Sequence, residues 1–166
     1  MIALPRDLIK ATKYSGHRCD LSPIQVGMGR DPWKVIVASQ LLQRTRRNER
    51  ITKELFDWWP TPGALAASDT ALEDLLRPLG LHRVRARQLQ RMSLRYAEWA
   101  FEDIRDLPGC GPYVCDAVGL FCYGCTDLDS SDEVLHEYAF SYTGPSIEDV
   151  TVEALRAYES QLEVHA

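Results

Sequence analysis

A few groups of residues in this 166-residue chain have types and spacings suited to chemistry. The turn Leu107-Pro108-Gly109-Cys110-Gly111 leads into Pro112 and an apolar run. Glycines admit positive φ and let backbone amides approach an anion unobstructed, beside a helix N-terminus that favours negative charge. The turn can therefore grip a phosphate, or simply join two helices. Asp132 follows Ser130 and Ser131 at an expected helix start, where first-turn amides favour a carboxylate. The position suits a reacting carboxylate and equally a plain helix cap. Tyr113 opens the segment after the turn, as a pocket wall or as a core tyrosine. Arginines at 44, 46, 47, 50, 83, 85, 87 and 91 offer salt-dependent phosphate contacts, or a solvated basic face.

The elements that must position these groups read as helices. Asp31-Pro32-Trp33 is a helix start, with Asp to accept free amides and Pro where a donor is idle. Val35, Ile36, Val37, Leu41 and Leu42 continue it as a buried helix. A second helix is expected from about Arg46, with Ile51, Leu55, Trp58 and Trp59 on its apolar side, until Pro60 and Pro62 stop it. Thr70 and Glu73 suggest a capping box for a short helix ending at Arg77, before Pro78 and Gly80. Leu89, Met92, Tyr96 and Trp99 mark a further helix at three- and four-residue spacing. The hairpin comes next, then an acidic loop from Thr126 to Ser131 and a helix near Asp132. Gly144-Pro145 precedes a last amphipathic helix carrying Val152, Leu155 and Leu162. No strand alternation, repeat or low-complexity tract interrupts this pattern, so the class is all-α.

Hydrophobic content of 45% supports one compact unit, 1–166. Its expected parts are a helical lobe over about 31–105, then a hairpin over about 107–124 with C-terminal helices that pack with residues 1–30. No run approaches the ~18 apolar residues of a membrane span, and Met1 to Lys10 mixes charges into a run too short for a signal peptide. A soluble protein of the cytoplasm, nucleoid or nucleus is expected, with no membrane partner. The net charge is −5, yet residues 1–95 hold 17 Lys/Arg against 9 Asp/Glu, whereas residues 96–166 hold 2 against 15. An acidic second half hides a basic first half, so the sign of the sum does not exclude a nucleic-acid partner. Cys19, Cys110, Cys115, Cys122 and Cys125 are an odd number, four of them crowded together, which argues for reduced thiols. His17, His82, His136 and His165 form no metal-ligand grouping.

Three blocks, in order, resemble the helix-hairpin-helix DNA glycosylases. They are Asp31-Pro32-Trp33-Lys34 leading to Leu42-Gln43-Arg44-Thr45, Leu76-Arg77-Pro78-Leu79-Gly80-Leu81 leading to Arg85-Ala86, and the hairpin with Tyr113 and, some twenty residues on, Asp132. The resemblance covers about residues 31–142 and is closest to the glycosylase domain of the methyl-CpG-binding thymine/uracil mismatch branch. It implies a two-lobed helical fold with double-stranded DNA and a flipped base in the cleft between the lobes. The implied reaction is hydrolysis of an N-glycosidic bond, for thymine or uracil opposite guanine, by a monomer in base excision repair.

In that reading Asp132 is catalytic, with Asp129 as the alternative if the loop register shifts. A carboxylate beside C1′ stabilises positive charge on the sugar or positions water. Tyr113 occupies the position where bifunctional relatives carry a Schiff-base lysine, so the resemblance implies a monofunctional enzyme without lyase activity. A flipped base leaves a hole that must be filled. The resemblance assigns that to Arg44, beside Gln43 and Thr45, with Leu81 wedging the opposite strand; Leu79 is the alternative, and either leucine can be core. Arg85, Gly109 and Gly111 complete the implied DNA contacts. Pro112 departs from the pattern by removing one N–H donor. Cys115, Cys122 and Cys125 echo part of an iron-sulfur spacing, but the family's cluster lies after the catalytic aspartate and Ser131 stands in the fourth place. No iron-sulfur cluster is expected. The rival readings are a non-catalytic DNA-binding module, a base-modifying enzyme on this scaffold, and a structural interaction protein.

Overall fold

A computed structural model describes residues 6, 23–45, 48–141 and 156. The expected last amphipathic helix, Arg46, Arg47, Cys19, His17, His165 and nearly all of residues 1–22 lie outside the described residues. Within them the chain is helical and contains no strand. The α-helices are α1 (Pro32–Leu42), α2 (Glu49–Trp58), α3 (Pro62–Ala66), α4 (Thr70–Leu76), α5 (His82–Ala97), α6 (Pro112–Tyr123) and α7 (Glu133–Ser141). Short 3₁₀ turns span Ile24–Met28, Arg77–Leu79 and Ile104–Asp106.

Local chemistry explains the boundaries. Asp31 accepts the amide of Lys34 at 3.2 Å and Pro32 takes the first helical position, as the residue types require. The second helix starts at Glu49 rather than near Arg46, because Asn48 is drawn inward, donating from Nδ2 to Leu41 O at 2.9 Å and accepting from Thr52 Oγ1 at 2.9 Å. Pro62 begins α3 instead of merely ending α2; Thr61 caps it by accepting from Ala64 N at 3.2 Å. The cap of α4 is Asp69, which accepts from Ala71 N at 2.9 Å, so the expected Thr70 and Glu73 box falls one residue late. The Ile24–Met28 turn had no periodicity long enough to announce it.

Two packed groups of helices share α1. Helices α3 and α4 pack on α5, and α2 packs on α4, while α6, α7 and the Ile24–Met28 turn gather on the other side, where α1 lies along α6. Trp33 is the hinge of this arrangement: it is buried, donates from Nε1 to Ser93 Oγ at 3.0 Å and meets Phe56 edge-on at 5.5 Å. Helix α1 is buried from Val35 through Leu41, and α6 from Val114 through Tyr123. Both are largely apolar on every side, as helices enclosed by neighbours are, with Ser39, Gln40 and Asp116 as their buried polar residues. One continuous core therefore joins the two groups and fixes the loops at their shared edge.

Candidate active site

That edge carries an open cleft of about 710 Å³ lined by Leu42, Gln43, Arg44, Tyr113, Ser130, Ser131, Asp132, Glu133 and Val134. Three segments far apart in the chain meet there: the end of α1, the start of α6 and the start of α7. Asp132 immediately precedes α7 and its Oδ1 accepts the amide of Leu135 at 2.9 Å. It is thus both a helix cap and a cleft residue. Its Oδ2 meets no donor among the described residues, leaving one carboxylate oxygen for the cleft.

Behind Asp132 the loop is held by a buried carboxylate that sequence reasoning passed over. Asp116, on α6, accepts the amides of Asp129 and Ser130 through Oδ2 at 3.0 and 2.6 Å. The Asp129 amide is tied down there, and Asp132, not Asp129, lines the cleft. Ser130 contributes a hydroxyl that is shut from solvent without a partner among the described residues.

Tyr113 is half-buried, and its hydroxyl accepts from Gln25 Nε2 at 3.1 Å. Burial raises the Tyr113 phenol above its ordinary value, and the negative charge of Asp132 raises it further, partly offset by the Gln25 hydrogen bond. Gln25 is itself buried, within 3.5 Å of Ser39 Oγ. No pattern in the sequence marked it; a buried amide in a short 3₁₀ turn is legible only once α1 and α6 are packed around it.

Next to the cleft lies a second depression of about 200 Å³, lined by Gln40, Gln43, Arg44, Leu81, Val84, Arg85 and Gln88 among others. Arg44 and Leu81 both line it with exposed side chains, Leu81 at 64%. Both have left-handed backbone, φ 58° and 50°. Thr45 turns the other way, donating from Oγ1 to Leu41 O at 2.5 Å, and so closes α1. Leu79 is partly buried against the core, which leaves Leu81 as the free leucine of the pair.

The hairpin glycines differ. Gly109 has φ 76°, and a Cβ there would lie 2.1 Å from Gln88 Nε2 and 2.9 Å from Gln40 Nε2. Gly111 has an ordinary φ of −78° and opens on empty space as the residue capping α6. Only the first glycine is demanded by backbone conformation; the second keeps the helix N-terminus uncovered. Pro112 occupies the first position of α6. Arg50, Arg83, Arg87 and Arg91 are exposed, and Arg83 lies 3.6 Å from Glu73. Arg85 is half-buried and faces inward. The thiols of Cys110, Cys115, Cys122 and Cys125 are free and buried, and burial pushes all of them up.

The fold, not the site, is what this chain shares with a solved protein described as the structure of a thermostable thymine-DNA glycosylase: TM-score 0.56, 19% identity, covering 90% of this chain and 82% of that one. The chain has the helix-hairpin-helix glycosylase fold. No family model matches it. It is 30% identical over 115 residues to the methyl-CpG-binding domain protein 4-like protein of Arabidopsis thaliana, 68% of this chain and 26% of the relative. Over 104 residues it is 35% identical to the thymine-DNA glycosylase of Aeropyrum pernix, 57% of this chain and 47% of that one. A thymine/uracil-DNA glycosylase of Pyrobaculum aerophilum is 32% identical over 104 residues, 57% and 45%. The chain thus spans between about a quarter and half the length of the curated relatives it matches. Among the described residues no helix is long and apolar enough to cross a membrane.

Proposed function

We propose that the protein is a monofunctional DNA glycosylase that hydrolyses the N-glycosidic bond of thymine or uracil opposite guanine. The observation that carries this reading is the meeting of Asp132 and Tyr113 in one cleft, with Arg44 on its rim. As the C1′–N bond breaks, its electron pair leaves with the base and positive charge grows on the sugar. The Asp132 carboxylate opposes that charge and orients a water, which supplies hydroxide to C1′ and a proton to the departing base.

Tyr113, kept protonated, offers the flipped base an aromatic wall and a hydroxyl whose direction Gln25 sets. A phenol forms no Schiff base with the opened sugar, so the product is an intact strand with an abasic site. Exposed Arg44 and Leu81 fill the gap left in the stack. Gly111 and the N-terminus of α6 receive a backbone phosphate, with the exposed arginines of α5 adding charge. The partner is double-stranded DNA and the working unit a monomer. No metal or cluster takes part, since the buried thiols suit small apolar packing groups.

Base release is measured from duplexes carrying one G·T, G·U, A·8-oxoguanine or undamaged pair. The wild type is expected to release thymine or uracil, with strand breaks only after alkali, and Asp132→Asn to release neither. Binding without release from any duplex would overturn the reading.

A further inference from the structure

Arg85 was expected to meet a phosphate, but its guanidinium is occupied inside the protein. Nε donates to Gly80 O at 3.0 Å, Nη1 to Gln40 O at 3.3 Å and Nη2 to Gln43 O at 2.9 Å. Two of these carbonyls belong to the loops that carry the exposed wedges, Gln43 preceding Arg44 and Gly80 preceding Leu81; the third, Gln40, lies in the last turn of α1. Both wedge residues sit in a left-handed backbone that non-glycine residues adopt only where surrounding structure holds them there. A planar guanidinium presents donors in a rigid fork, which a lysine ammonium cannot reproduce. Gln40 extends the connection, its Nε2 donating to Pro108 O in the hairpin at 2.8 Å.

We infer that Arg85 is a positioning residue: it clasps the two wedge loops at a fixed separation, so that Arg44 and Leu81 enter the two sides of the opened base stack together. This rests on the proposed glycosylase reading only for what the wedges do; the clasp itself belongs to the fold. Its charge is not offered to DNA. Burial and the neighbouring Arg44 charge, which lower the Arg85 guanidinium, are consistent with that inward placement.

The test uses Arg85→Lys and Arg85→Gln in the full chain, with two readouts. In hydrogen exchange, the segments around 43–45 and 80–82 are expected to exchange faster together in both variants, with α1 and α6 unchanged. This readout needs no activity. In single-turnover release from a G·T duplex, both variants are expected to fall by about a hundredfold, as for misplaced reacting groups, while the slope of log affinity against log salt stays that of the wild type. A phosphate contact behaves otherwise: lysine would preserve release, and glutamine would lower the slope by about 0.9. Exchange unchanged in both segments, or release rescued by lysine, overturns the clasp. A wild type that releases no base overturns the glycosylase reading alone, and exchange then decides the clasp.

Discussion

Tyr113 and Asp132 stand at helix starts with ordinary backbone, backed by the buried length of α6, whereas Arg44 and Leu81 stand in left-handed backbone with their side chains in solvent. Arg30 and Trp99 also have positive φ, but Arg30 is buried and Trp99 packs on Tyr96 and Phe101 at 5.3 and 5.9 Å, so local packing holds them. Arg44 and Leu81 gain no such packing. In the proposed reading, the wall that places the carboxylate is built on core, and the wall offered to DNA stands in left-handed backbone with the Arg85 hydrogen bonds behind it. The two walls should therefore fail differently: the first through chemistry, the second through mechanics.

The largest effect separates chemistry from folding at one residue. Asp132→Asn keeps an equally good helix cap, so thermal stability should change by less than about 0.5 kcal/mol. Base release should fall by about a thousandfold, within the range for loss of a positioned acid–base group. Equal losses of stability and release would mean that Asp132 acts only as a cap, and the contrast between the walls would collapse.

On the strained wall the sign of the stability change reverses. Glycine accepts left-handed backbone without the ~1 kcal/mol that leucine or arginine incurs there, although its greater unfolded entropy returns part of that gain. Leu81→Gly and Arg44→Gly should thus leave the melting temperature equal to or slightly above the wild type's. Release from a G·T duplex should nonetheless drop about tenfold or more, because the opened stack loses its filler. A variant that loses stability would show that the side chain supports the fold and does not wait for DNA.

How much of this was legible follows the same division. Asp31-Pro32, the hairpin and the segment starting at Asp132 announce themselves through local rules of capping and turn chemistry, and the structure places each as a helix boundary. What the sequence could not disclose depends on long-range packing: Gln25 behind Tyr113, Asp116 under the loop before Asp132, and the inward turn of Arg85. Each is a polar side chain with at least one partner thirteen or more residues away. Asn48 moved a helix start by the same means, since its bond to Leu41 competes with helical continuation.

The hairpin sharpens the contrast through a glycine pair. Gly109→Ala drives a Cβ into Gln88 and Gln40 at a positive φ and should destabilise by about 1–3 kcal/mol. Gly111→Ala meets open space and should cost about 1 kcal/mol or less as a poorer cap. If Gly111 receives a phosphate as proposed, the variant's DNA affinity should fall all the same, because a methyl group then stands in the open space before α6. Denaturant unfolding and duplex binding, measured side by side on both variants, check this.

The smallest effect is a slope. Burial and the nearby carboxylates of Asp103 and Asp116 push the Cys115 thiol from 9.0 up to about 12, against a smaller opposing pull from Arg105. Its folded value lies above its unfolded one, so the folded chain keeps a proton that the unfolded chain gives up. This contribution is fully present below pH 9.0 and is lost progressively as the pH rises toward about 12. Each such proton steepens the fall of stability by at most about 1.4 kcal/mol per pH unit. Cys115→Ala should lower stability at neutral pH through a small cavity, yet flatten the alkaline decline. Leu81→Gly, on the strained wall, should leave that decline as it is. Parallel unfolding curves for wild type and Cys115→Ala across this window would remove the thiol from the account of how the packed wall is held.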